Sequence, residues 1–120
     1  MGEEEKRRHP RVTITSIARV TLADQGEGFD AYVGGISRGG LEIYCERVLS
    51  AGMRLAVEIR FINEQGRQEC ETVAGCVRWS SVFSRARVAG IEFDTIIGVD
   101  DHPALNAYLT RSESFFRKGV

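Results

Sequence analysis

The chain has 120 residues, enough for one domain around one hydrophobic core. Its composition, 42% hydrophobic and 28% charged, is that of an ordinary soluble globular protein, with no apolar run long enough to cross a bilayer and no secretory h-region. With 16 basic and 17 acidic residues the net charge is −1, so bulk charge selects neither nucleic acid nor an anionic surface as partner.

The charge is nevertheless unevenly placed. Glu3, Glu4 and Glu5 form an acidic run, and Lys6, Arg7, Arg8 and Arg11 follow it. Lys6 stands where a myristoylation signal after Met1-Gly2 needs Ser or Thr, so N-myristoylation is not expected. Residues 1–10 read as a flexible segment without apolar periodicity, and 11–120 as one domain. Pro10 stiffens the entry to a first strand from Arg11 to Leu22. There Val12 and Ile14 share a face, as do Ala18, Val20 and Leu22. Ile17 has the opposite parity, which predicts a bulge near Ser16.

Turn residues 23–28 lead to a second strand with Phe29, Ala31 and Val33 on one face, weakened at its end by Gly34 and Gly35. Leu41, Ile43 and Cys45 alternate with polar residues in a third strand. Leu55, Val57, Ile59 and Phe61 do so in a fourth, the clearest half-buried pattern in the chain. Asn63-Glu64-Gln65-Gly66 predicts a hairpin with Gly66 at positive φ. A long strand from about Gln68 to Ser80 carries Val73, Cys76, Val77 and Trp79, with a bend at Gly75. A last strand carries Ala89, Ile91 and Phe93.

The end of the chain changes period. Asp100 or Asp101 can cap a helix with Pro103 in its first turn. Leu105, Tyr108, Leu109, Ser112 and Phe116 then recur at helical spacing. About six short strands joined by Gly-rich turns predict a mainly β fold, an antiparallel six-stranded barrel with a C-terminal α-helix over one opening. Cys45, Cys70 and Cys76 lack metal-ligand spacing and read as small buried thiols in a reducing cytoplasm; a metal would need His9 or His102 as a further ligand.

Two stretches can carry binding chemistry. Arg7 and Arg11, with Arg8 between them, offer planar forks that grip phosphate in two-toothed fashion or bridge a guanine edge. The turn Gly35-Ile36-Ser37-Arg38-Gly39-Gly40 offers a hydroxyl and a backbone that a ligand can approach closely. The plain alternative for the turn is a corner in which Ser37 bonds its own backbone. Catalysis is not expected: the two histidines, His9 and His102, belong to no nucleophile, base and orienter arrangement. Arg78, Arg85 and Arg87 with Trp79 and Phe83 could form a nucleic-acid patch, but the charge balance argues against it and Trp79 and Phe83 also read as packing residues.

The order Arg7-x-x-x-Arg11, a strand, then Gly35-x-Ser37-x-x-Gly40 resembles the PilZ domain family, whose pattern is Arg-x-x-x-Arg followed by Asp/Asn-x-Ser-x-x-Gly. Gly75-Cys76-Val77-Arg78-Trp79 resembles the family's late strand and Val88-Ala89-Gly90-Ile91-Glu92-Phe93 its last, so the likeness runs from about Lys6 to Leu109. It implies a bacterial cytoplasmic receptor for cyclic di-GMP, with no cofactor and no membrane insertion, signalling to a downstream protein. Carried over, Arg7, Arg8 and Arg11 grip phosphate and guanine, Ser37 and the Gly40 backbone hold the other side, and the N-terminal segment folds over the ligand. Gly35 departs from the pattern, because a carboxylate there accepts from the N1 and N2 donors of guanine. Losing such a bond costs roughly 1.5–3 kcal/mol, about ten- to hundredfold in affinity. Weak binding is therefore expected, and Gly35→Asp is expected to strengthen it. A nucleotide-independent protein-interaction adaptor is the alternative. The oligomeric state is left open.

Overall fold

Alternation of apolar and polar residues makes strands, and among the described residues it makes six. The computed structural model describes residues 16–26 and 28–118. The strands are β1 (Ser16–Leu22), β2 (Gly28–Ile36), β3 (Gly40–Cys45), β4 (Arg54–Ile62), β5 (Gln68–Phe83) and β6 (Ala86–Phe93), followed by helix α1 (Pro103–Lys118). They form a closed barrel in the order β1-β2-β3-β6-β5-β4, every neighbouring pair antiparallel. The order divides the barrel into two meanders, β1–β3 and β4–β6. Each is built from chain-adjacent strands, and they meet along β1–β4 and β3–β6.

The inward positions are those the alternation marks. Ala18, Val20 and Leu22 of β1, Leu55, Val57, Ile59 and Phe61 of β4, and Ala89, Ile91 and Phe93 of β6 are buried in one cluster. Ile17 points outward, 43% exposed. The bulge expected near Ser16 does not occur within β1, whose register to β2 is unbroken from Ser16↔Val33 to Thr21↔Gly28. Arg11, Val12 and Ile14 lie outside the described residues. Gly66 closes the β4–β5 hairpin at φ 78°.

Three local expectations are corrected. β5 does not end at Ser80 but runs to Phe83, with Ser84 at φ 58° in the tight link to β6. Its irregularity falls between Val77 and Trp79, not at Gly75, which keeps register with Phe93. Cys70 is exposed, because Val73 and Gly75 set the inward parity of β5 and the even-numbered positions face out; Cys45 is buried and Cys76 half-buried. Burial raises the Cys45 thiol above its ordinary value.

Helix α1 contributes Leu105 and Leu109, both 0% exposed, to the barrel core, and Tyr108 lies against Phe61 with ring centroids 5.3 Å apart. The side chain of Phe116 lies outside those described. The cap is neither Asp100 nor Asp101, which are exposed in the preceding turn. Glu71 of β5 supplies it. Its two carboxylate oxygens accept from Ala104 N at 3.0 Å and Leu105 N at 2.8 Å. His102 Nε2 meets the Thr72 carbonyl at 3.1 Å beside it. A carboxylate here satisfies two orphan amides and faces the positive end of the helix dipole. Glu71→Ala should therefore lower stability by about 1–2 kcal/mol in urea unfolding, with Glu71→Gln losing less. Equal stability of wild type and Glu71→Ala would show that the cap contributes nothing.

Candidate functional site

The turn between β2 and β3 is built by short bonds of its own. Ser37 N donates to the Gly40 carbonyl at 2.8 Å. Ser37 Oγ donates to the same carbonyl at 3.4 Å and accepts from Gly39 N at 3.3 Å. The hydroxyl is thus engaged in its own turn, the plain alternative raised by the sequence. Gly40 serves close approach. A Cβ there would stand 2.2 Å from the Ile91 carbonyl oxygen, so only glycine lets β3 lie this near β6.

Arg38 turns the other way, towards α1. Its guanidinium donates to the Ile97 carbonyl at 3.1 Å, Asn106 Oδ1 at 2.6 Å, Thr110 Oγ1 at 2.8 Å and Glu113 Oε1 at 3.3 Å. Its Nε lies 3.2 Å from Glu113 Oε2, with the two side chains only 18% and 12% exposed. The turn backbone is stitched to the same region by Phe93 N to Gly39 O and Ile97 N to Arg38 O, both at 2.9 Å. Arg38 is therefore a structural clamp between the turn and the helix.

The end of β2 carries a second device. Val33 pairs with Ile43, but the next pair is Gly35↔Glu42, so Gly34 is an extra residue in β2. This bulge resets the alternation. Ile36 enters the core at 0% exposure beside Leu41, and Gly35 faces out. Continuing across the barrel, Glu42 pairs with Gly90 of β6, and Gly90 pairs with Trp79 of β5. One outward row therefore reads Gly35, Glu42, Gly90, Trp79. The Trp79 indole lies on Gly90, where a Cβ would be 2.2 Å from its Nε1. In the adjoining row Tyr32 pairs with Tyr44, whose ring covers Gly34.

Of the residues singled out in the sequence, the structure brings Gly35, Ser37 and Gly40 to one corner of the β2–β3 hairpin. Arg7, Arg8 and Arg11 lie outside the described residues. The sequence reading missed Glu42, whose place depends on register, and Arg38, whose partners lie 59 to 75 residues away in the chain. Trp79 is half-buried as packing on Gly90, and Arg78 pairs with Glu92 at 3.4 Å; the side chain of Phe83 lies outside those described. Away from this face, an exposed ion pair joins Arg54 and Asp94 at 2.5 Å, and the Arg54 hydrogen bond holds Asp94 below its ordinary value. Among the described residues no group of three or more His, Cys, Asp or Glu side chains could hold a metal ion, and no helix is long and apolar enough to cross a membrane.

A closed six-stranded antiparallel barrel with a C-terminal helix packed on its core defines a class of small β-barrel domain. The family model of the PilZ domain matches residues 5–111, and the chain belongs to that family. Solved structures share the fold. The Bacillus subtilis inhibitor of motility MotI/DgrA is 21% identical with a TM-score of 0.74, over 92% of this chain and 53% of that one. The chain thus spans about half the length of that protein. The PilZ domain of YcgR from Escherichia coli, solved with c-di-GMP, is 16% identical with a TM-score of 0.66, over 95% of this chain and 96% of that one. The MrkH–c-di-GMP complex of K. pneumonia is 16% identical with a TM-score of 0.67, over 95% of this chain and 55% of that one. A search of curated protein sequences found no match.

Proposed function

We propose that this protein is a bacterial cytoplasmic PilZ receptor for cyclic di-GMP, binding the nucleotide on the outer face of the barrel at the β2–β3 corner. The observation that carries the reading is the bulge at Gly34, which turns Gly35 outward into one row with Glu42, Gly90 and Trp79 beside the Ser37–Gly40 turn. Neighbours of the same fold were solved with this nucleotide. Chain reach supports the role of the arginines. Arg11 is five residues before Ser16, and five extended residues span at most about 18 Å. Ser16 pairs with Val33, two residues from Gly35. Arg11 is therefore tethered within reach of the corner. In this reading Arg7 and Arg11, with Arg8 assisting, hold phosphate and guanine, and closure of residues 1–10 over the ligand relays the signal to a partner protein.

Calorimetric titration with cyclic di-GMP tests it. The wild type should bind saturably, and Arg7→Ala and Arg11→Ala should each abolish binding. Undiminished binding by Arg11→Ala would move the site elsewhere. A second reading, an adaptor that works by protein contact alone, is favoured by the engagement of the Ser37 hydroxyl within its own turn and by the missing side chain at Gly35. No binding by the wild type at high micromolar nucleotide would establish that reading over the first.

A further inference from the structure

Gly35 removes a carboxylate from the position where the family pattern has Asp or Asn, yet the structure sets another beside it. Glu42 is the direct cross-strand partner of Gly35. It alternates with Leu41 and Ile43, which are buried at 5% and 0%, so its own side chain leaves the barrel on the outer face. Paired positions on one face stand about 5 Å apart, and a glutamate is one methylene longer than an aspartate. Its other cross-strand neighbour is also glycine, Gly90. Glu42 thus stands between two cross-strand neighbours without a Cβ, and the Trp79 indole lies over the second of them, Gly90.

We infer that Glu42 is the specificity-determining acceptor of this site, taking the N1 and N2 donors of a guanine base that the residue at 35 takes elsewhere in the family. The inference rests on the cyclic di-GMP reading above. An ionised carboxylate has two oxygens and about four lone-pair sites. Glu42 already has an interaction within the protein, and that capacity lets it serve a base as well. Glycine at 35 is then the complement of glutamate at 42, because it sets no side chain of its own opposite the longer one. The register also changes what Gly35→Asp does. Alone, it sets two carboxylates directly opposite each other, which is unfavourable. The strengthening expected of it should appear only once the charge at 42 is removed.

The test titrates wild type, Glu42→Gln and the double variant Gly35→Asp/Glu42→Gln with cyclic di-GMP and with its hypoxanthine counterpart, which lacks the 2-amino group. Wild type should favour guanine over hypoxanthine by about tenfold. Glu42→Gln should weaken cyclic di-GMP binding about ten- to hundredfold and bring the ratio of the two ligands close to one. The double variant should regain both affinity and preference, which excludes misfolding as the cause of the loss. Wild-type binding that Glu42→Gln leaves unchanged overturns the role of Glu42 while the receptor reading stands. A loss that Gly35→Asp does not restore overturns the exchange of positions. No binding of either ligand by the wild type overturns the receptor reading and this inference with it.

Discussion

Arg38→Ala should unfold at a temperature about 10 °C or more below the wild type. The Arg38 and Glu113 side chains are 18% and 12% exposed, so solvent screens their pairing weakly. Removing the guanidinium leaves the Glu113 carboxylate without its cation, and deprives the Ile97 carbonyl and the Asn106 amide oxygen of their donor. Breaking one partner of such a pair costs about 3 kcal/mol or more, and about 3–5 °C of melting temperature accompanies each kcal/mol in a domain of this size. The loss should be felt first in α1, because Arg38 is held by Asn106, Thr110 and Glu113 along that helix. Amide exchange of α1 should accelerate more than that of β4. Arg38→Lys should recover little, since a single ammonium cannot reach the same spread of acceptors as a planar fork. Thermal unfolding followed by circular dichroism measures the first effect. A shift of only one or two degrees would mean that solvent satisfies these groups as well as Arg38 does.

Gly40→Ala should cost about 3 kcal/mol, read from urea unfolding. Its Cβ would stand 2.2 Å from the Ile91 carbonyl oxygen and 3.3 Å from the carbonyl carbon, and both are backbone atoms. No rotamer change relieves that contact, so β3 and β6 must move apart. Gly98→Ala is the matched control. Its Cβ would meet nothing nearer than the Ile96 carbonyl oxygen at 4.0 Å, so the change should stay within about 0.5 kcal/mol. A Gly40→Ala protein as stable as the control would show that the strands accommodate a methyl group at this seam. The same geometry qualifies the ligand-facing role expected of Gly40: loss of binding in such a variant would report a separated seam as well as a lost backbone contact.

Much of the barrel was legible because its signal is local and periodic. Leu55, Val57, Ile59 and Phe61 alternate strictly and are all buried. What escaped was set by pairing between distant segments. The extra residue in β2 is invisible without β3 opposite it, and Gly34-Gly35 gave only a sign of weakness. Helix caps usually lie within a few residues of the first turn, here Pro103. The barrel instead carries Glu71 to it from 33 residues upstream. The candidate site divides the same way. Ser37 and Gly40 stood out by spacing, but their local bonds and Gly40's tight contact became plain only in three dimensions. Glu42 looked like any outward strand residue until its register placed it between two glycines.

The two-meander plan has a consequence for the order of assembly. Hairpins between chain-adjacent strands close in roughly 1–10 μs, and β1–β3 and β4–β6 consist of such hairpins. The seams join residues far apart in the chain, Gly40 with Glu92 and Arg19 with Glu58, and must wait for long loops to close. A fold limited by such pairings takes on the order of milliseconds to seconds. Gly35 and Glu42 belong to one meander, Gly90 and Trp79 to the other, so their row straddles the β3–β6 seam. Neither half of a growing or cleaved chain carries that face, which comes into being only when the β3–β6 seam closes.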